Sequence, residues 1–184
     1  MTQLPSYDAA RLLELLRRDA LQFGEFILAS GQTASFYLDC RNVTLDSAGA
    51  ALIAAGFLQC LQSSWPDAVG GMAIGADPIT AAILVRAAAA GRPLKGFIVR
   101  KEAKTHGTQR AVEGPVRPGM RCVIVEDVVT SGGSSLRAVE QARNFGLEVD
   151  RVLAIVDRQA GAAAAFEQQG LAFEALFTID QILD

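Results

Sequence analysis

The sequence predicts an α/β fold, doubly wound, with a mostly parallel central sheet flanked by helices, and three observations lead there. From about residue 71 onward, short apolar runs alternate with segments of helical periodicity, the order that builds strand–helix–strand units. Several runs, Cys122–Val125 and Val152–Val156 among them, are continuously apolar, as in central strands covered on both faces. The interval from Arg100 to Arg121 has little apolar periodicity over about twenty residues. That is longer than the loops of compact domains ordinarily run, and it points to a lid.

The elements follow in order. Tyr7 to Phe23 carries Leu12, Leu13, Leu15, Leu16 and Leu21 at helical spacing, with charges on the other face, which predicts an amphipathic helix. Phe26–Leu28 and Ser35–Cys40 read as short strands around a turn at Gly31. Asp46 to Gln62 predicts a second helix, with Asp46 placed to cap it. Strands are then expected at Gly71–Ile74, Gly96–Arg100, Arg121–Val125, Val152–Val156 and Phe173–Phe177. Helices are expected at Pro78–Ala90, Ser134–Phe145 and Gly161–Gln169. The alanine runs 87–90 and 162–165 fall inside helical patterns and suit close packing. With no internal repeat and no low-complexity linker, residues 1–184 read as a single domain.

Composition narrows the class. Hydrophobic residues make up 51% of the 184, enough to fill a core. A formal net charge of −3 argues against a protein that coats nucleic acid through a basic face. No apolar run approaches the roughly 18–20 residues that span a bilayer, and Met1–Ser6 lacks the basic start and apolar middle of a secretory signal. Cys40, Cys60 and Cys122 are odd in number and widely spaced. They read as buried reduced thiols, so a cytoplasmic setting is expected.

The strongest chemical signal is the stretch Cys122-Val-Ile-Val-Glu126-Asp127-Val128-Val129-Thr130-Ser131-Gly132-Gly133-Ser134, leading into a helix. An apolar strand ending in two carboxylates delivers them to the carboxyl edge of the sheet, where open α/β folds bind ligands. The glycines let backbone approach a ligand closely. Free N–H groups at the helix start, reinforced by its dipole, suit a phosphate dianion. Carboxylates beside that site accept hydrogen bonds from a vicinal diol, and a diol near a phosphate describes a ribose 5-phosphate. The plain alternative is a solvated acidic pair followed by an ordinary helix cap. Because neighbouring strand residues point to opposite faces, either the strand bends here or one carboxylate does most of the work. No GxGxxG fingerprint and no Walker A loop is present, and His106, the sole histidine, excludes HExxH and multi-histidine metal cages.

Glu-Asp-x-x-Thr-x-Gly-x-Ser at the end of an apolar strand resembles the phosphoribosyl pyrophosphate signature of the type I phosphoribosyltransferases. The long interval supports the resemblance. Arg100, Lys101, Lys104 and Arg110 gather there with His106 in an otherwise acidic chain. A charge run is most often a solvated face, but a mobile cationic flap beside a ribose-phosphate cradle is what a pyrophosphate leaving group requires. Arg-Lys-Glu-x-Lys-x-His-Gly is further similar to the catalytic loop of the orotate phosphoribosyltransferases. That resemblance implies a lid over about residues 101–119 shared across a homodimer. Arg100, Lys104 and His106 would then serve the partner's pyrophosphate and Lys101 its own subunit.

The resemblance extends from about Leu21 to Gln159. The stretches Phe23–Gly31 and Phe36–Asp39 are similar to the family's hood over the base, so about residues 1–45 are expected to form an N-terminal hood. Orotate carries a ring carboxylate, which a guanidinium fork suits. Asp157-Arg158-Gln159 after the Val152–Val156 strand resembles the family's base contact, making Arg158 and Thr130 the expected orotate-binding pair. An Asp157–Arg158 surface pair or a helix cap is the plain alternative. Many members carry lysine where Ala29 and Ile79 stand here. The family often holds a cis peptide in the turn around Gly75–Ile79, and Asp77–Pro78 is placed to supply one.

The reaction implied is orotate plus phosphoribosyl pyrophosphate giving orotidine 5′-monophosphate and pyrophosphate, with Lys104, His106 and Asp127 catalytic. Arg100, Lys101, Glu126 and residues Val128 to Ser134 would bind phosphoribosyl pyrophosphate alongside them. Mg²⁺ is expected on pyrophosphate and ribose oxygens, with no direct protein ligand required. A phosphoribosyltransferase for another base, a regulator that binds phosphoribosyl pyrophosphate without turnover, and a generic nucleotide-binding α/β protein are the alternatives.

Overall fold

The computed structural model describes residues 6–27, 33–101 and 111–184. Helix α1 (Ala9–Leu15) starts at Asp8, whose side chain accepts from the Arg11 N–H, and runs on through a π-helical turn, Leu16–Ala20. Leu12, Leu15, Leu16 and Ala20 are buried. The first helix was expected to reach Phe23, but Leu21 is extended (φ −88, ψ 129). From there β1 (Leu21–Ile27) pairs antiparallel with β2 (Thr33–Leu38), matching Leu21 to Leu38 and Phe23 to Phe36. Hairpin pairing thus overrides the helical spacing of Leu21. The expected turn at Gly31 and the departure at Ala29 lie outside the described residues.

A short α2 (Arg41–Thr44) leads to α3 (Ser47–Leu61). Asp46 caps α3 as expected, accepting from the Ala48 and Gly49 N–H groups at 2.9 and 3.0 Å. The central sheet contains β3 (Ala68–Met72), β4 (Lys95–Val99), β5 (Val112–Glu113), β6 (Arg121–Val129), β7 (Glu148–Asp157) and β8 (Ala172–Thr178). Its order is β5-β4-β3-β6-β7-β8. Every neighbouring pair is parallel except β4–β5. The remaining helices are α4 (Ala76–Ala89), α5 (Gly133–Phe145), α6 (Ala162–Glu167) and α7 (Ile179–Leu183).

Both sheet faces are covered, as the continuous apolar strands required. Along β6, Val123 and Val125 join the core under α1, α3 and α4, whereas Cys122 and Ile124 join the one under α5 and α6. That alternation is the pleat of a strand buried on both sides. Among the described residues no helix is long and apolar enough to cross a membrane.

Three differences from the sequence expectation bear on the site. Strand β6 continues to Val129, with Glu126 opposite Ala154 and Val128 opposite Val156 of β7, so both acids lie within the strand. Second, the cis peptide expected at Asp77–Pro78 falls instead at Ala73–Ile74. Pro78 sits in the first turn of α4, where its missing N–H has no helical acceptor to lose. Third, β5 and α7 were not anticipated. Two residues leave no period to read in β5, yet Val112 is buried and Val116 packs against the core.

The connections set the position of the site. From β3 the chain passes through α4 to β4 on one side, while β6 leads through α5 to β7 on the other. Adjacent β3 and β6 therefore frame the topological switch point, where a crevice opens at the carboxyl ends of the strands.

Candidate active site

A cavity of ≈ 330 Å³ occupies that crevice. Its walls come from Tyr37, Asp39 and Arg41 at the junction of β2 and α2, Ala73 to Gly75 after β3, Lys101 after β4, Glu126 to Val128 of β6, and Ser134 of α5. Residues distant in sequence converge because β3, β4 and β6 end at the same edge of the central sheet and the junction of β2 and α2 borders it.

Both acids reach this space. A Cβ added to Gly75 would lie 2.9 Å from Asp127 Oδ1 and 3.2 Å from Glu126 Oε1. The two carboxylates therefore approach one backbone segment, and a side chain there would crowd both of them. Asp127 Oδ1 accepts from the Val128 N–H at 2.8 Å. Glu126 is 5% exposed and accepts from Ser135 Oγ at 3.1 Å. Burial, then the charge of Asp127, pushes its carboxyl up to about 7.

The turn from β6 into α5 holds Thr130 and Ser131 exposed and Gly132 in a left-handed conformation (φ 81). A Cβ on Gly132 would meet Phe166 Cζ at 2.9 Å. No side chain caps α5, so its first N–H groups stand open at the helix start, as an anion would need. An open helix N-terminus beside two carboxylates can take a phosphate and a diol together.

Of the residues singled out in the sequence, Lys101, Glu126, Asp127, Val128 and Ser134 line the cavity. Val129 to Gly133 are carried in the end of β6 and the turn that follows. Arg100 is not in the lining of its own chain's cavity and pairs with Glu113, Nε to Oε1 at 3.2 Å. Lys104 and His106 lie outside the described residues. Arg158 follows β7, and its N–H donates to the Val129 carbonyl at 2.8 Å, which draws it beside Thr130. Asp157 accepts from the Gln159 N–H at 2.8 Å and, among the described residues, makes no ion pair with Arg158.

Sequence reasoning missed Arg41 and Ser135, and named Gly75 only as part of a turn resembling one of the family's. Arg41 grips Asp39 with Nε and Nη2, both at 2.8 Å, and this bond holds the Asp39 carboxyl below its ordinary range. An acid and an arginine two apart at a helix start was the available signal. Ser135 gave none, because its importance comes from what the fold sets against it.

A parallel sheet that brings paired acids and an uncapped, glycine-led helix to its switch point defines the chain as a type I phosphoribosyltransferase. It superposes on the phosphoribosyltransferase from Corynebacterium diphtheriae with a TM-score of 0.85 and 34% identity, covering 96% of this chain and 98% of that one. The orotate phosphoribosyltransferase of Rhodopirellula baltica is 56% identical over 178 residues, 94% of this chain and 92% of that protein. The Mycobacterium tuberculosis orotate phosphoribosyltransferase, solved in complex with 5-phospho-α-D-ribosyl 1-diphosphate, matches with a TM-score of 0.81 and 35% identity, covering 96% and 99%. No family model matches. The chain belongs to the orotate phosphoribosyltransferase family.

Proposed function

We propose that this chain transfers the phosphoribosyl group of phosphoribosyl pyrophosphate to orotate, giving orotidine 5′-monophosphate and pyrophosphate in pyrimidine nucleotide synthesis. The observation that carries this reading is the convergence of Glu126, Asp127 and the open start of α5 on one cavity, in a member of this family.

In this reading the 5′-phosphate is held by the turn Thr130–Ser134 and the first N–H groups of α5, with the backbone of Val128 and Val129 leading into it. Asp127 and Glu126 hold the ribose hydroxyls as positive charge grows at the anomeric carbon. A Glu126 carboxyl that titrates near neutrality can donate as well as accept a hydrogen bond there. Lys101 faces the same cavity and supplies charge to the pyrophosphate. Arg100, Lys104 and His106 act on the partner's pyrophosphate, with Lys104 or His106 stabilising or protonating it as it leaves. Arg158 and Thr130 take the base.

In this reading Mg²⁺ would be held by pyrophosphate and ribose oxygens and its own waters, since among the described residues no three His, Cys, Asp or Glu side chains are grouped to hold a metal ion. When bound with substrate, the ion neutralises charge on the pyrophosphate. Homodimerisation is supported by large apolar side chains left exposed, Phe23 and Ile27 on β1 and Ile74 after β3. The free thiols Cys40, Cys60 and Cys122 fit a reducing, cytoplasmic compartment.

The test follows orotate absorbance with protein, Mg²⁺ and phosphoribosyl pyrophosphate, beside tubes holding adenine, guanine, hypoxanthine or uracil. Loss of the orotate band alone, reversed by pyrophosphate, is the expected result. Turnover of another base instead would keep the ribose-phosphate site and discard the role of Arg158.

A further inference from the structure

The guanidinium carbon of Arg158 stands over the ring of Phe36, 5.2 Å from its centroid. That is inside the ~6 Å reach of a cation–π contact. Phe36 belongs to β2 of the N-terminal hairpin, opposite Phe23, while Arg158 follows β7 in the central sheet. The contact therefore bridges two sheets that share no strand.

The two partners are fixed differently. Phe36 is half-buried and packed against the larger core cluster. Arg158 is anchored by its backbone to Val129. Among the described residues, no carboxylate or carbonyl takes its guanidinium. The contrast with Arg41 is informative, since Arg41 spends two donors on Asp39. A carboxylate partner would hold Arg158 equally well but would consume the forked N–H groups and cancel the charge. An aromatic face attracts the cation through its quadrupole and leaves those donors unspent.

We propose that Phe36 is a positioning residue, holding Arg158 against the hood so that its donors stay free for the ring carboxylate of the base. Strand β2 thereby takes part in selecting a carboxylated pyrimidine, although its own side chain carries no charge. This rests on the assignment of Arg158 to orotate made above.

The test compares Phe36→Leu, Phe36→Tyr, Arg158→Ala and the Phe36→Leu/Arg158→Ala double variant. KM for orotate, KM for phosphoribosyl pyrophosphate and kcat are measured for each, with thermal midpoints to verify folding. Phe36→Leu is expected to raise the orotate KM roughly 3–10-fold, the span of a partly desolvated cation–π contact. Its kcat and its KM for phosphoribosyl pyrophosphate should stay within about twofold of the parent, and Phe36→Tyr should restore the orotate KM by supplying the ring. The double variant should be no worse than Arg158→Ala alone, because the lost contact acts only through Arg158. An unchanged orotate KM in Phe36→Leu would overturn the proposal, as would losses that multiply in the double variant or a defect that tyrosine leaves unrepaired. If Arg158→Ala itself leaves the orotate KM unchanged, the base-site reading fails first, and that failure is distinct from a silent Phe36 beside a sensitive Arg158.

Discussion

Glu126 sits against Asp127 in a buried stretch of β6, and both causes of its raised pKa act against the ionised form. Unfolded, the carboxyl titrates near its ordinary value of 4.5, and folded at about 7. Between those values the native state holds the extra proton, so the contribution of Glu126 to stability falls as pH rises through the window and stays low above it. Glu126→Gln keeps an acceptor for Ser135 and removes the titration. The variant is expected to exceed the parent in stability at pH 8 by roughly 1–3 kcal/mol, with the gap closing near pH 4. Urea unfolding at the two pH values measures it, and a gap independent of pH would assign the effect to packing. Two adjacent acids were plain in the sequence. That both turn toward Gly75 was not, because strand alternation alone sends neighbouring side chains to opposite faces.

Helix α5 takes its uncapped start from the residues just before it. Gly132 carries the left-handed φ that starts the helix without a side-chain cap, and Phe166 of α6 closes the space where a side chain would go. Gly132→Ala combines a left-handed alanine, about 1–2 kcal/mol, with a contact too short to keep. A total loss of about 2–3 kcal/mol is expected from denaturant unfolding, together with weaker binding of phosphoribosyl pyrophosphate by calorimetry. Wild-type stability and affinity in this variant would mean that the turn re-forms without its left-handed residue. The Thr-Ser-Gly-Gly-Ser run was legible as a turn, and the helix after it as well. The length of β6 was not: polar Glu126 and Asp127 end the apolar run in sequence, whereas pairing with β7 carries the strand to Val129.

At the scale of the molecule, the cationic residues divide between the cavity and its surroundings. Lys101, Glu126, Asp127 and Ser134 share a cavity within one chain, while Arg100 is turned to Glu113. Mixing Lys104→Ala subunits with Asp127→Ala subunits, each nearly inactive alone, is expected to regain activity, because one of the two mixed sites would carry neither defect. Verified mixed dimers without recovery would show that each subunit uses its own lid.

The doubly wound class, the capped α3, the acid pair and the glycine turn before α5 are local matters of period, cap chemistry and residue type, and the sequence by itself determined them. The convergence of Arg41, Gly75 and Ser135 on those acids, the seating of Arg158 on Phe36, and the end of the first helix at Ala20 were decided only by tertiary structure. Each depends on which strands become neighbours and on the space left between them, and long-range pairing leaves no period in the chain to read.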